Sequence, residues 1–134
     1  MRFVGVSEIS LNELRRARQL IEIATVQNRF NLSEQAADDV LRACAQSGIG
    51  FIPWAPIAMG ELAGASDALA SVATRHRATQ AQIALAWLLE RSPVVLPIPG
   101  TGSADHLREN VKAALIKLST DELLALEHAT GPST

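Results

Sequence analysis

The sequence has no tyrosine, a single cysteine (Cys44) and no excess of positive charge, its net charge being −2. One thiol allows neither an internal disulfide nor a cysteine-based metal site, so a reducing, cytoplasmic setting and no metal are expected. The charge argues against nucleic acid or an anionic membrane as the main partner. No apolar run reaches the roughly 18 residues of a membrane span, and the first residues do not resemble a secretory signal.

Short apolar segments recur along the 134 residues, 48% of which are hydrophobic, a composition too apolar for disorder. Four segments rich in Val and Ile are predicted to be strands, at residues 3–6, 21–26, 49–54 and 94–97. Their near lack of polar residues is typical of strands buried on both faces of a parallel sheet. Residues 1–134 are interpreted as one domain.

Helix start signals lie between these strands. The predicted N-caps are Ser10, Ser33, Thr79, Ser103 and Ser119. Glu13, Gln82 and Glu122 follow three of these caps at the spacing of a capping box. A weaker helix is predicted over residues 67–76.

Two helices carry further signals. The helix after Ser33 has an apolar face containing Cys44, and Gly48 is predicted to end it in the left-handed conformation. The helix after Ser103 is predicted to pack through an apolar face made of Leu107, Val111, Ala114 and Leu115.

The resulting order β-α-β-α-β-α-α-β-α-α predicts right-handed βαβ units and an α/β fold with a parallel sheet. An open four-stranded sheet is one interpretation. The other is half of a (β/α)₈ barrel, which has eight strands in about 250 residues. The absence of a polar edge strand favours the half-barrel, because bare apolar edges promote association.

Specific motifs add a family resemblance that covers nearly the whole chain. They are RFVGVSE, ATVQNRFN, GIGFIPWAP, ATQAQIALAWLLERSPVVLPIPGTGSADHLRENVKAAL and LSTDELLALE. In this order and spacing the chain resembles the C-terminal half of an aldo-keto reductase. The resemblance implies (β/α)₄ plus extra helices of an aldo-keto reductase-type TIM barrel, a family that reduces aldehydes and ketones with NADPH.

The resemblance also implies where a nicotinamide would bind. Ser7, Glu8 and Gln27 match the positions that contact the carboxamide, although Glu8 replaces the family's Asn and can only accept hydrogen bonds. Trp54 matches the aromatic residue that stacks on the nicotinamide ring. The structural alternatives are a turn-capping Ser7, a solvated Glu8 and packed Gln27 and Trp54 side chains. Asn28 and Asn31 are interpreted as turn residues, and Phe30 and Trp87 as core.

Two further segments match the phosphate and adenine contacts of the family. The predicted cofactor-binding residues there are Ala55, Pro56, Ile57, Met59, Gly100, Thr101, Gly102, Ser103, His106, Glu109 and Asn110. Glycines before a helix N-terminus form an anion site in many proteins, though such loops also occur without a ligand. Gly100 and His106 replace the Lys and Arg that are typical of a strong NADPH preference in the family, so NADH remains an alternative cofactor. Arg108 is a candidate substitute for the missing cation.

The resemblance places the Asp, Tyr, Lys and His that assist hydride transfer in the other half of the barrel, so no catalytic residue is assigned here. The first hypothesis is therefore an NAD(P)H-binding, truncated oxidoreductase half that is inactive alone and pairs with an N-terminal half-barrel. The alternative is a non-catalytic, self-associating nucleotide-binding or scaffold module made of two copies, and a third is a structural module without a ligand. Exposed Val, Ile and Leu side chains at two sheet edges predict a homo-oligomer in the absence of another partner.

Overall fold

A computed structural model describes residues 2–57 and 67–130 of the chain, which form an α/β fold around a parallel sheet. The strands are β1 (Gly5–Ser7), β2 (Thr25–Arg29) and β3 (Gly50–Trp54). The helices in the described residues are α1 (Leu11–Leu20), α2 (Asp38–Ser47), α3 (Asp67–His76), α4 (Gln80–Arg91), α5 (Ala104–Ala113) and α6 (Thr120–Thr130).

The sheet has the strand order β1-β2-β3, and both neighbouring pairs are parallel, as the alternation of strands and helices predicts. The predicted strand at residues 94–97 is reduced to a single parallel bridge between Val95 and Phe51. Phe51 accounts for both hydrogen bonds there, donating to Val94 O and accepting from Leu96 N, each at 2.8 Å. Among the described residues no other bridge extends this pairing, so the segment stays a short edge beside β3.

The predicted strand at residues 21–26 lies too early in the chain. Ile21 is the C-cap of α1, its N–H donating to Ala17 O at 3.1 Å, and strand β2 begins only at Thr25. It then continues through polar residues to Arg29. Backbone pairing with β1 and β3 sets these limits, and the apolar run does not coincide with burial either, since Ile23 and Val26 are buried whereas Ile21 is 49% exposed. The first strand is likewise displaced, to Gly5–Ser7.

The local helix signals are confirmed at four of the five predicted N-caps. Ser10 with Glu13 and Thr79 with Gln82 form complete capping boxes. Ser119 and Glu122 bond each other's backbone N–H groups, and the Ser103 side chain caps α5.

The predicted cap at Ser33 is wrong. Helix α2 starts at Asp38, after Ala37, without a side-chain cap. Ser33 instead lies in a turn whose N–H groups are taken by Asn31. Gly48 does end α2 in the left-handed conformation, with φ 67°.

Three aromatic residues, from β3, from α4 and from the end of β2, meet at the centre of the core. Phe30 follows β2, contacts Phe51 edge-on at 5.8 Å and stacks on Trp87 of α4 at 5.9 Å. All three side chains are fully buried, as predicted for Phe30 and Trp87. The helices therefore cover the sheet face that carries Val26 and Phe51. No helix in the described residues is long and apolar enough to cross a membrane.

Apolar side chains are exposed at both edges of the sheet. Phe3 is 79% exposed before β1, and Leu20 is 88% exposed at the end of α1. At the opposite edge, the predicted apolar face of α5 is open rather than packed: Val111 is 67% exposed and Leu115 is 81% exposed. Helix amphipathicity predicts which side of α5 is apolar, but nothing in the described residues covers it.

Candidate functional site

The carboxyl ends of the strands bring two of the predicted carboxamide contacts together. Ser7 pairs with Gln27 in the parallel register of β1 and β2, and Gln27 pairs with Ile52 of β3. Side chains alternate along a strand, so Gln27 lies on the sheet face opposite buried Val26. Ser7 and Gln27 are therefore neighbours at one level of the face that the helices leave uncovered. Gln27 stands in the middle of β2 rather than at its end.

Beyond this level, one residue after Ser7 and two residues after Gln27 and Ile52, three side chains form a contact group that we call the Glu8–Arg29–Trp54 cluster. Arg29 and Trp54 are register partners, and the Arg29 guanidinium carbon lies 5.6 Å from the centroid of the Trp54 ring. Glu8 Oε1 accepts hydrogen bonds from Trp54 Nε1 at 2.5 Å and from the Arg29 backbone N–H at 2.7 Å. Glu8 is exposed, whereas Arg29 and Trp54 are half-buried. The carboxylate oxygen predicted to meet a cofactor amide is thus already bonded to protein groups.

Two residues of this strand-end region have a left-handed backbone. Glu8 and Ala55 both have φ 51°, a conformation that is unfavourable for residues other than glycine. The Glu8 N–H donates to Gln27 O at 2.9 Å, and Ala55 O accepts from Asn31 Nδ2 at 3.0 Å. Such strained positions persist when surrounding contacts fix them, and they concentrate at functional sites.

Two buried asparagines support these loops, and sequence reasoning missed the role of one of them. Asn28 is not a turn residue. It lies within β2, and its side chain donates to Ile9 O at 2.8 Å and accepts from Ile9 N at 3.2 Å. Asn31 is a turn residue as predicted, since its Oδ1 accepts from the N–H groups of Ser33 and Glu34. The alternation of Val26, Asn28 and Phe30 is a signal that places Asn28 on the buried face.

The segment after Val95 leads to the predicted phosphate contacts. Because Val95 runs parallel to Phe51, residues 97–103 leave the sheet at the same end as Trp54 and the loop after it. Ser103 Oγ accepts from the His106 N–H at 3.4 Å, and the Ser103 N–H donates to Thr101 Oγ1 at 3.1 Å. A Cβ atom added at Gly100 or Gly102 would meet no atom within 4 Å, so this loop is open on its outer side.

Charges at the start of α5 nearly cancel. Asp105 lies in the first turn and pairs with Arg108 at 2.7 Å, both side chains being exposed. The cation suggested as a substitute for the family's Arg is thus engaged by a carboxylate. His106 is exposed beside them.

The predicted adenine contacts make local bonds. Glu109 accepts at its backbone oxygen from Gln82 Nε2 at 2.9 Å, and Asn110 Nδ2 donates to Pro99 O at 3.4 Å. Both Glu109 and Asn110 are half-buried, which leaves each side chain partly accessible.

The loop after β3 is described only in part. Ala55, Pro56 and Ile57 directly follow Trp54 at the carboxyl end of the sheet, and Pro56 is buried. Met59, another predicted contact, and Gly60 lie outside the described residues. The site therefore comprises three strand ends and the open loop before α5.

Reactive side chains outside this site, where the structure describes them, form no metal-binding group. No group of three or more potential metal ligands occurs within residues 2–57 and 67–130. Burial raises the pKa of the Cys44 thiol to about 11, so this side chain is an inert part of the core. His76 bonds Glu122 through Nε2 at 3.1 Å, between α3 and α6.

Comparisons with known proteins agree with this geometry. The model of the Aldo/keto reductase family matches residues 1–130. An uncharacterized oxidoreductase of Schizosaccharomyces pombe is 46% identical over 127 residues, covering 95% of this chain and 42% of that protein. Pyridoxine 4-dehydrogenase of Escherichia coli is 40% identical over 127 residues, covering 95% of this chain and 44% of that protein.

A solved structure shows the same similarity in three dimensions. The aldo-keto reductase from Klebsiella pneumoniae in complex with NADPH superimposes with a TM-score of 0.88 at 28% identity. The match covers 98% of this chain and 49% of that one. The chain thus spans about half the length of the proteins it matches.

Proposed function

Because the chain belongs to the aldo/keto reductase family, we propose that it is the NAD(P)H-binding half of an oxidoreductase that reduces aldehydes or ketones. In this proposal the chain forms a (β/α)₄ half of a TIM barrel. The uncovered sheet face becomes part of the barrel interior, and the strand carboxyl ends form the site. The bound cofactor supplies the hydride. The observation that carries the proposal is the adjacency of Ser7 and Gln27 on that face.

The polar groups at the strand ends fit a nicotinamide carboxamide. That group has an oxygen that accepts and an NH₂ that donates hydrogen bonds. The Ser7 hydroxyl and the Gln27 amide can each do both. Trp54, on the next level of the same face, offers a half-buried aromatic ring against which the nicotinamide stacks in our proposal.

The loop of residues 100–103 and the start of α5 fit the phosphates in our proposal. Free backbone N–H groups of the first helical turn attract anions, and the glycines leave room for a ligand to approach the backbone. Thr101 and Ser103 add hydroxyl groups. Arg108 is paired with Asp105, so its positive charge in this turn is already partly neutralised before the 2′-phosphate of NADPH could bind. We therefore propose that NADPH and NADH bind with similar affinity.

Catalysis by the chain alone is not expected. The sequence has no tyrosine, so no phenol is available to protonate a carbonyl oxygen. The resemblance assigns the proton-transfer residues to the other half of the barrel. We propose that a complementary half supplies them and covers the exposed apolar edges.

The test measures binding and turnover separately. NADPH and NADH are titrated into the purified chain while tryptophan fluorescence is followed, with Trp54→Phe as the variant that removes the reporting ring. We expect saturable quenching that Trp54→Phe abolishes, and no cofactor oxidation with aldehydes. Addition of an N-terminal half-barrel from a relative should then produce turnover. Turnover by the pure chain, or no binding at millimolar cofactor, contradicts the proposal.

A second candidate function is a self-associating nucleotide-binding or scaffold module without catalysis. It is favoured by the apolar groove of about 600 Å³ between residues 96–100 and α5. Leu96, Leu107 and Val111 line this groove, and each is more than half exposed. In this candidate, two copies pair edge to edge, bury the groove and close a twofold ring of eight segments, namely six strands and the two copies of residues 94–97.

Sedimentation distinguishes the two candidates. The module predicts a dimer whose dissociation constant rises at least about tenfold with Val111→Glu, while Lys112→Glu, an exposed neighbour, serves as the charge control. A monomer at all concentrations excludes the module. A dimer that the N-terminal half-barrel dissociates favours the reductase half.

A further inference from the structure

We propose that Arg29 makes this site favour the reduced, uncharged nicotinamide ring over the oxidised, cationic ring. The inference rests on the proposed function, because it takes Trp54 as the surface that the nicotinamide contacts. Arg29 is a specificity residue in this view. It changes the relative affinity for the two redox states of the cofactor.

The position of Arg29 is fixed from two sides. It pairs in register with Trp54, and its guanidinium carbon lies 5.6 Å from the ring centroid, within cation–π range. Its backbone N–H is held by Glu8 Oε1 at 2.7 Å. Arg29 shares with Gln27 the sheet face that carries the carboxamide contacts. A nicotinamide that stacks on Trp54 beside Gln27 therefore shares the indole ring with the guanidinium.

The two redox states respond differently to that charge. Arginine stays protonated at every physiological pH. The oxidised nicotinamide ring carries one positive charge and the reduced ring carries none. The guanidinium already makes a cation–π contact with Trp54, which weakens the attraction of the indole for the oxidised nicotinamide ring. The positive charge of Arg29 also repels the oxidised ring directly. The reduced ring is uncharged, so Arg29 neither repels it nor weakens its stacking on Trp54.

Glu8 provides an opposing charge at the same indole. Its carboxylate bonds Trp54 Nε1 and so lies at the edge of the same indole. Removal of this negative charge should disfavour the oxidised ring further, whereas removal of the Arg29 charge should favour it. Glu8→Gln keeps an oxygen that can accept from Trp54 Nε1, so it changes the charge and leaves an acceptor for the indole. Opposite responses from two neighbouring residues are the signature of an electrostatic effect rather than of damage to the site.

The experiment compares three ligands by calorimetry with the purified chain: NADPH, NADP⁺ and adenosine 2′,5′-bisphosphate, which lacks the nicotinamide. The readout is the ratio of the dissociation constants for NADP⁺ and NADPH, which we expect to exceed one. Arg29→Met should lower this ratio about fivefold, allowing for screening by water at a half-buried position. Arg29→Lys should retain most of it, and Glu8→Gln should raise it. Arg15→Met, on the exposed surface of α1, is the control.

The bisphosphate separates the two proposals. If it binds wild type and Arg29→Met equally while the ratio does not change, the role of Arg29 is overturned and the cofactor function stands. If neither cofactor nor bisphosphate binds the wild-type chain, both are overturned. A change in bisphosphate affinity with Arg29→Met would show general damage. In that case Arg29→Gln is measured instead of Arg29→Met. If the ratio of the NADP⁺ and NADPH dissociation constants is unchanged in Arg29→Gln, the inference is overturned.

Discussion

The side-chain amide of Asn28 bonds both backbone groups of Ile9, its Nδ2 donating to Ile9 O at 2.8 Å and its Oδ1 accepting from Ile9 N at 3.2 Å. Asn28 belongs to β2, and Ile9 follows β1 and the strained residue Glu8. The pair therefore continues the contact between the two strands past the end of β1. It holds the loop that positions the Glu8–Arg29–Trp54 cluster.

Asn28→Asp should therefore destabilise the chain by about 2 kcal/mol, because it replaces the donor facing Ile9 O with an acceptor and leaves that oxygen unsatisfied. We expect the loss in urea unfolding at neutral pH. Asn12→Asp, the same change at an exposed site on α1, should alter stability by less than about 0.5 kcal/mol. Equal effects of the two variants would show that the bonds to Ile9 contribute nothing.

Gly5 is required because of Thr25. A Cβ on Gly5 would lie 2.4 Å from Thr25 Oγ1 and 3.3 Å from Thr25 O. Gly5→Ala should cost about 1–3 kcal/mol of unfolding free energy. The cost should shrink when it is measured in a Thr25→Ala background, since the closest atom is then absent.

Gly102→Ala is the matched control for Gly5→Ala, since its Cβ would meet no atom within 4 Å. Its effect on stability should stay within about 0.5 kcal/mol. Full additivity of Gly5→Ala and Thr25→Ala in the double variant would contradict the clash.

Glu122 contributes stability that depends on pH. A hydrogen bond from the Ser119 backbone N–H lowers the pKa of Glu122 below its ordinary value of 4.5, and bonding to His76 lowers it further, while burial opposes both. A carboxyl whose pKa is lower in the folded state stabilises fully above the unfolded pKa. That contribution is lost as the pH falls through the folded pKa. Stability should therefore decline below about pH 4.5.

Glu122→Gln should remove this part of the pH dependence and keep the acceptor that bonds the Ser119 N–H. Urea unfolding at a series of pH values from neutral to about pH 3 measures it. Asp121→Asn, an exposed neighbour, controls for net charge. The explanation is wrong if Glu122→Gln and wild type lose stability in parallel.

Arg91 joins three helices through its two terminal nitrogens. Nη2 contacts Asp38 Oδ1 at 2.5 Å and Nη1 contacts Glu127 Oε1 at 2.6 Å, while the guanidinium carbon lies 5.3 Å from the Trp87 ring centroid. Arg91→Met should cost about 2 kcal/mol in urea unfolding, because the partly buried Glu127 loses this partner and Asp38 keeps only its pair with the exposed Arg42.

Arg91→Lys should recover part of that loss, since it keeps the charge but not the planar fork. Arg42→Met removes an exposed partner of the same Asp38 and should cost less than about 1 kcal/mol. Full stability of Arg91→Met would show that the ion pairs do not stabilise the helix packing.

Local features of the fold were predictable because they involve residues three or four positions apart. The capping boxes at Ser10 and Thr79 and the left-handed stop at Gly48 need only their own helix ends. The strand limits were not predictable in this way. Ile21 is as apolar as Val26, yet only Val26 pairs with both neighbouring strands.

In the candidate site, too, some features were predictable from the sequence and others depended on contacts across the sheet. Motif order led to Ser7, Gln27 and Trp54, and the parallel register makes Ser7 and Gln27 direct neighbours. It did not lead to Arg29 or to the bond between Glu8 and Trp54. That bond joins residues 46 positions apart, and only the sheet places them in contact.

The sequence by itself determined the alternation of strands and helices, the family and the lack of a tyrosine, since each is written in residue type and spacing. Tertiary structure decided which backbone groups pair, which oxygen of Glu8 is occupied and which face of α5 stays exposed. Hydrogen bonds between strands and contacts between helices depend on distances across the fold, and neighbouring residues in the chain do not encode these distances.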